Sequence, residues 1–471
     1  MLLILAFTCP CLNALEKPNV LFIAIDDLRP ELGCYGQSHM ITPNLDRLAS
    51  EGRLFNRHYV QVPTCGASRR SLLTGRRPTK PVHLNNDAVR YAMANETTPD
   101  QPESWAHHFK KHGYRTIAYG KISHYPGGRI YKKDVGNGEG DLEMPKSWHE
   151  VGPSFGKWKT GWNAFFGYAN GSGRQRETSP PFETADVTDD GYPDGLIADQ
   201  AIEKLREVKD QSFLLAVGFF KPHLPFTAPK KYFDLYPLKD VALSPNPLAP
   251  VGIRKESLHQ SGEVFNNYGG HPDGAKESKA YARQLRRAYF ACISYIDAQV
   301  GKLLQELNRL RLSEKTIVIV WGDHGWHLGD HSLWGKHSTF ERSLRSALII
   351  RTPNILQPGV PTNSLVETVD LYPTLVELCD LPRPETSLHG KSLCPILRNP
   401  TVKTKDSALG FWKGRTTVRT ETHRLVTYHD AQPDEIDEEL FDHRSDPLET
   451  RNVADQHSEI VRQLRALIPA R

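Results

Sequence analysis

Beyond its first residues the chain has no run of the roughly 18 to 20 apolar residues that a membrane-spanning helix needs, which argues against an integral membrane segment there. It has no internal repeat and no low-complexity tract, which excludes repeat and compositionally biased architectures. It has little excess charge, a net +4 over 471 residues, and that argues against a dedicated nucleic-acid binder. Cysteine is sparse, with seven in the whole chain. What is present is ordinary for a globular protein: 38% hydrophobic and 24% charged residues, unlike a disordered chain. The length suits one large domain plus a smaller one, or two or three domains.

The first twenty residues read "MLLILAFTCPCLNALEKPNV". Met1 to Ala14 is apolar and nearly charge-free, and polarity changes at Glu16. That resembles the core and end of a secretory signal cleaved after Ala14, so residues 1–14 are expected to be a leader and the mature chain to be exported. The basic n-region is missing, a buried first strand is the ordinary alternative, and "LAFT" before Cys9 makes a poor lipoprotein box. Outside the leader stand Cys34, Cys65, Cys292, Cys379 and Cys394, an odd number that flags one with a separate role. Cys292 reads as a core residue on an apolar helix face, and Cys379 and Cys394 are near enough in sequence to close a short loop.

Cys65 lies in "VPTCGASRRSLLTGRRP", in a small-residue turn followed by arginines. Nearby cations lower a thiol's pKa, so this cysteine is expected to be reactive. Nucleophile, redox thiol, metal ligand and precursor of another group all stay open on these residues alone.

Four short aliphatic runs end on chemistry. "NVLFIAIDD" ends on Asp26 and Asp27, "RTIAYGKISH" on Lys121 and His124, "SFLLAVGFFKPH" on His223, and "TIVIVWGDHG" carries Asp323 and His324. Continuous apolar runs of this length suit strands buried on both faces. Helical patterns separate them, clearest from Tyr281 to Leu307, with "PNLDRLASEG" and "IADQAIEKLREV" as shorter helices. The alternation predicts an α/β fold, a large mostly parallel sheet sandwiched by helices. Ligands bind beyond the carboxyl ends of such strands, so these side chains should converge on one edge. Each alone has an ordinary reading as a helix cap, a loop histidine or a solvated lysine; four polar strand ends in one sheet favour a site.

The stretches 136–184 and 252–278 are rich in Pro, Gly and polar residues and too long for plain connections, so they form the site or are mobile. Trp148, Trp158 and Trp162 in the first offer flat faces for a sugar ring, or pack the loop on the body. After about Asn399, "GFWKGRTTVRTETHRLVTYHD", "EELFDHRSDPLETRNVA" and "SEIVRQLRALI" read as a small antiparallel sheet with a terminal helix. The expected units are a catalytic domain over 17–399 and a small C-terminal subdomain over 400–471.

Asp26, Asp27 and Asp323 are hard oxygen ligands that favour calcium or magnesium, whereas His324 raises zinc. Lys121, Lys336 and Arg69 supply charge for an anionic substrate, and His124 and His223 can move protons. Metal, nucleophile and cations together suit sulfuryl or phosphoryl transfer.

On these residues the chain resembles the type I sulfatases of the alkaline-phosphatase superfamily. "CGASRRSLLTG" resembles the family signature, and "IDDLRPELGCYG", "TPNLDRLASEG", "GYRTIAYGKISH", "KPHLPF", "DHGWHLGDHSLWGK" and "ELFDHRSDPLETRNVA" match in order from about Lys17 onward. "DDLRPELGCYG" and "AVGFFKPHLPF" are most similar to the iduronate-2-sulfatase type. The resemblance implies that Cys65 is the precursor of formylglycine, made by a formylglycine-generating maturation enzyme. The hydrated aldehyde attacks sulfur through one hydroxyl, and the other expels sulfate. By the same resemblance Asp26, Asp27, Asp323, His324 and the modified Cys65 hold a metal, usually calcium. Arg69 steadies the formylglycine, Lys121 and Lys336 clamp the sulfate, His124 helps eject it, and His223 protonates the leaving oxygen. The implied substrate is a sulfated saccharide, with a 2-O-sulfated uronic acid or another sugar sulfate at a glycan end. Ala67 stands where many relatives have proline, which leaves the maturing enzyme open, and Ser346-Ala347 replaces the usual Val-Pro step. Two other functions compete. One is a phosphonate or phosphate mono- or diester hydrolase of the same superfamily. The other is a non-catalytic glycan-binding protein, whose sign, loss of the cysteine or a ligand, is absent here.

Overall fold

The computed structural model describes residues 17–93, 102–131, 140–258, 262–430 and 436–469. The expected leader lies outside the described residues. Among them the strands run in chain order as β1 (Asn19–Ile25), β2 (Arg53–Tyr59), β3 (Arg115–Gly120), β4 (Glu150–Gly152), β5 (Phe182–Ala185), β6 (Phe213–Phe219), β7 (Phe226–Pro229), β8 (Thr316–Gly322), β9 (His327–Leu328), β10 (Trp334–Gly335), β11 (Leu348–Arg351), β12 (Thr362–Glu367), β13 (Ala408–Trp412), β14 (Arg415–Arg419), β15 (His423–Tyr428) and β16 (Glu438–Asp442).

Eight of them make one sheet in the order β12-β2-β11-β8-β1-β6-β3-β4. Only β11 runs against its neighbours β2 and β8; the other pairings are parallel. Every residue of β1, β6 and β8 is buried, as expected of central strands covered on both faces. Alternation along β1 divides the core. Leu21, Ile23 and Ile25 join the apolar faces of the helices Lys279–Arg309 and Pro193–Val208. Val20, Phe22 and Ala24 join those of Trp105–Lys111 and Leu371–Leu378 on the other side. The long helix starts where the Ser278 side chain accepts from the Tyr281 N–H, and it buries Cys292 completely.

The chain ends in the antiparallel sheet β13-β14-β15-β16. The helix Ser458–Arg465 closes it by setting Val461 and Leu464 against Val418, Leu425 and Leu440. The short loop that the spacing of Cys379 and Cys394 allows is not closed: both are free thiols, Cys379 packed into the core beside the helix Leu371–Leu378.

Candidate active site

The sheet order sets β8, β1, β6 and β3 side by side, so their carboxyl ends form one edge. Asp26 and Asp27 follow β1, Asp323 and His324 follow β8, His223 follows β6, and Lys121 and His124 follow β3. Gly218 and Gly120 let the last two strands approach closely: a Cβ at Gly218 would run into the Lys121 backbone, and Gly120 has a φ of +76°.

Across this edge lies the helix Cys65–Thr74, buried along its whole length, with Cys65 at its first position. Cys65 and Arg69 are one turn apart on one face. Gly66 leaves room for the backbone of Asn86, whose Oδ1 accepts the Gly66 N–H at 3.1 Å. Arg69 donates through Nε to Asp323 Oδ2 at 3.0 Å and through Nη1 to the carbonyls of Lys121 and Ile122. It thereby ties the helix to the ends of β8 and β3.

Every sequence-derived site residue meets here. Ligand atoms of Asp26, Cys65, Asp323 and His324 lie within 4.8 Å of one another, as do those of Asp27, Cys65 and His223. Lys121 Nζ lies 2.5 Å from Asp26 Oδ2, and Lys336 Nζ lies 2.8 Å from Asp27 Oδ1 and 3.3 Å from Cys65 Sγ. His324 Nδ1 faces the Gly325 carbonyl at 3.0 Å, which assigns its proton there and leaves the Nε2 lone pair 3.3 Å from Cys65 Sγ. His223 is oriented likewise, Nδ1 against the Leu224 carbonyl at 2.6 Å and Nε2 4.0 Å from Asp27. Ser346, in place of the Val-Pro step, donates to the Gly322 carbonyl at 2.8 Å and so secures the end of β8.

The electrostatics answer part of the question about Cys65 and overturn one expectation. Burial, and then the Asp26 charge, push its thiol well above the usual value, outweighing Lys121 and Lys336. The arginines in the signature do not change this: Arg69 is spent on Asp323 and on carbonyls. A resting thiolate is therefore disfavoured. Burial also pushes Asp26 up, but Lys121 and Arg69 together hold it well below the carboxylate range. Burial and the neighbouring carboxylates raise Asp27 despite Lys336, and burial with Asp26 lifts Asp323 to about 7. His124, His223 and His324 are all held well below their ordinary value by burial and then by the lysines.

Three buried carboxylates around one imidazole lone pair form a donor set that fits a single divalent cation. Asp26 Oδ1 and Asp27 Oδ2 are buried without a hydrogen-bond partner, as ligand atoms awaiting a cation would be. Elsewhere Glu341, His443 and Glu449 also cluster, beside a groove of about 560 Å³. There Arg424 pairs with both glutamates and Arg419 with Glu341, so two guanidinium groups already balance the two carboxylates.

Above Cys65 opens a cavity of about 150 Å³. His124 lines it, with Nδ1 buried and unpartnered. So do Asn86, Trp162, Phe165, Phe166, Arg174, Glu263, Asn267 and Tyr268, none of which but Trp162 the sequence singled out. The long loops therefore form the site where they are described. Of the three tryptophans only Trp162 faces it: Trp148 packs edge-on against Trp105, and Trp158 is buried with Nε1 on the Tyr168 carbonyl at 2.9 Å.

The Sulfatase family profile matches residues 18–381, and a second, for the N-sulphoglucosamine sulphohydrolase C-terminal region, matches 329–470. The iduronate 2-sulfatase of Mus musculus is 34% identical over 426 residues, covering 82% of this chain and 71% of its own. Among solved structures, a phosphonate monoester hydrolase of Agrobacterium radiobacter superposes with a TM-score of 0.76 at 22% identity, covering 96% of each chain. A 2-O GAG sulfatase superposes with a TM-score of 0.66 at 22% identity, over 96% of this chain and 91% of the other. The two structures share the fold.

Proposed function

The chain belongs to the sulfatase family and is a sulfuric ester hydrolase; from that premise we propose that it removes sulfate from a sulfated sugar through a formylglycine made from Cys65. The observation that carries this reading is the placement of Cys65. Its Sγ lies 3.3 Å from both His324 Nε2 and Lys336 Nζ, among the unpartnered carboxylate oxygens and at the floor of the cavity.

Asp26, Asp27, Asp323 and His324 would hold the divalent ion, for which calcium is the reading we favour. That ion would supply the positive charge the carboxylates now draw from Lys121 and Lys336, and polarise oxygens at the sulfur. Formylglycine would supply, as its hydrate, two hydroxyls on one carbon, one to attack sulfur and one to expel sulfate. The chain's own groups do the rest. Lys121 and Lys336 offer cations to the sulfate oxygens. Arg69 fixes the helix that carries residue 65. His223 holds its Nδ1 proton on a carbonyl and presents Nε2 to the leaving oxygen; the negative charge of a bound sulfate ester raises its proton affinity. His124 presents the unpartnered Nδ1 to the hydroxyl that gives up its proton. Phe165 and Phe166 wall the reacting end from water.

The likeness to iduronate 2-sulfatase supports a 2-O-sulfated uronic acid as substrate. We further place the catalytic unit at 17–399 with a C-terminal subdomain at 400–471, and the mature protein outside the cytoplasm, cleaved after Ala14. Maturation then needs an enzyme that accepts Cys65 with alanine at 67. The test is a panel of sulfated oligosaccharides with sulfate release read by ion chromatography, beside aryl sulfate and aryl phosphonate esters. Release confined to sugar sulfates is expected. Faster turnover of the phosphonate would favour the ester-hydrolase alternative.

A further inference from the structure

We propose that Arg174 reads a second anionic substituent, a carboxylate or a further sulfate, on the same sugar ring that carries the scissile sulfate ester. This rests on the sulfatase reading above and adds a specificity-determining residue to it.

Arg174 lies between the helix Gly161–Phe165 and β5 and lines the same cavity as Cys65. Its guanidinium carbon is 3.9 Å from the Phe166 ring centroid and 5.2 Å from that of Tyr268. Stacking on two rings strips water from the faces of the cation, and the Tyr268 hydroxyl beside it can engage only one of its five N–H donors, leaving the others for a partner in plane. No carboxylate of a described residue lies within ion-pair distance of it, although the group is half-buried. Glu263, the acid that lines the cavity, is turned instead to Lys336 and His337, 3.7 Å from each. A partly desolvated cation with an open donor edge is matched by an anion.

The location places that anion on the substrate. Phe166 packs on Phe165 at 4.6 Å, and Phe165 packs on the His223 ring at 4.4 Å with Lys121 Nζ 4.0 Å from its own centroid. Arg174 thus stands one aromatic layer away from the groups that face the sulfate. The cavity, at about 150 Å³, falls below the ~300–1,000 Å³ of clefts that enclose whole drug-sized ligands, so a single ring must bridge both ends.

The arginine is also held in place before substrate arrives. Arg176 donates to Asn267 Oδ1 at 2.7 Å, and Gly269 N–H to the Ser179 carbonyl at 2.9 Å, which fastens this loop to the segment bearing Tyr268. Preorganisation of this kind favours selectivity, because little ordering remains to be done on binding.

The test compares two matched pairs: a 2-O-sulfated uronic acid with its methyl ester, and a disulfated with a monosulfated glucosamine. For wild type, Arg174→Gln and Arg174→Lys, kcat/KM is measured on each, and calorimetry measures binding of the desulfated uronic acid and its methyl ester. Wild type should prefer the more anionic member of at least one pair, the first pair marking a carboxylate and the second a sulfate. Arg174→Gln should shrink that ratio by about tenfold or more, as expected for one charge-assisted hydrogen bond, and Arg174→Lys should restore part of it. Equal kcat/KM within both pairs in wild type overturns the proposal. So does a variant that slows both members of each pair alike. Aryl sulfate turnover by wild type separates the two readings. If the enzyme binds the uronic acid over its ester but releases sulfate from nothing, the sulfatase chemistry fails while the role of Arg174 stands.

Discussion

Arg69 Nε donates to Asp323 Oδ2 at 3.0 Å, and neither side chain has any exposure to solvent. This pair joins the helix that begins at Cys65 to the end of β8. Burying such a pair is stabilising only while both partners remain, because removing one leaves an uncompensated charge out of water. Arg69→Ala is therefore expected to lower unfolding free energy by about 3–5 kcal/mol, read from the shift of the urea midpoint at unchanged slope. Arg69→Lys keeps the charge but cannot also reach the Lys121 and Ile122 carbonyls, and should fall between. A loss below about 1 kcal/mol for the alanine variant, the range of an exposed pair, would show that the pair does not brace the fold.

A second buried ion pair braces the segment after β1. Arg29 donates to Glu31 Oε2 at 2.6 Å and to Asp330 Oδ2 at 2.8 Å. Burial pushes Glu31 up, but Arg29 and the His39 hydrogen bond bring it from 4.5 down to about 2. The folded protein therefore binds this proton less readily than the unfolded chain. The stabilisation is complete above about pH 4.5 and is lost as pH falls through about 2. Glu31→Gln should lower stability at neutral pH and flatten its dependence on pH in that acid window. Parallel pH curves for variant and wild type, from urea unfolding, would remove Glu31 from the account.

Much of this was legible in the sequence, for a specific reason. The runs ending at Asp27, His124, His223 and Asp323 are continuous in hydrophobicity and then abruptly polar, and that break is a property of the strand itself. Lys336 and Arg69 stand out in the sequence only as positive charge suited to an anionic substrate; no periodicity points at them, and their separate roles rest on the resemblance. The cavity wall was not legible. Phe165, Phe166, Arg174, Glu263 and Tyr268 come from the two long segments between strands, short helices included, whose packing is decided by tertiary contacts, such as Arg176 with Asn267, nearly a hundred positions apart. The thiol of Cys65 was misjudged because local charge in the sequence says nothing of burial, and burial is the largest influence on it.

The unpartnered oxygens of Asp26 and Asp27 lead to a prediction on metal binding. Calorimetric titration of chelator-treated protein should find one divalent ion per chain, with Asp323→Asn weakening both binding and activity. Thermal unfolding should shift upward with added calcium, since a ligand that binds only the folded state stabilises it. Elemental analysis that returned two zinc ions per chain would instead favour the phosphate-ester alternative.

The sharpest test concerns Cys65. Burial and the Asp26 charge disfavour its thiolate, so an ordinary thiol nucleophile is badly placed here. A thiol-dependent enzyme would be blocked by iodoacetamide, and its Cys65 peptide would keep the thiol mass. A formylglycine enzyme should resist the reagent. Its tryptic peptide should be lighter by about 18 Da, the difference between CH₂–SH and CHO on oxidation of the cysteine. Cys65→Ser, made in a host whose maturation system accepts only cysteine, should release at most one equivalent of the alcohol per chain and no free sulfate, the sulfuryl group staying on the serine. The serine hydroxyl can attack sulfur, but its carbon bears no second hydroxyl to expel the sulfate. Full activity in protein whose Cys65 peptide is entirely unmodified would overturn this chemistry, because the site would then be turning over without the paired oxygens on which the mechanism depends.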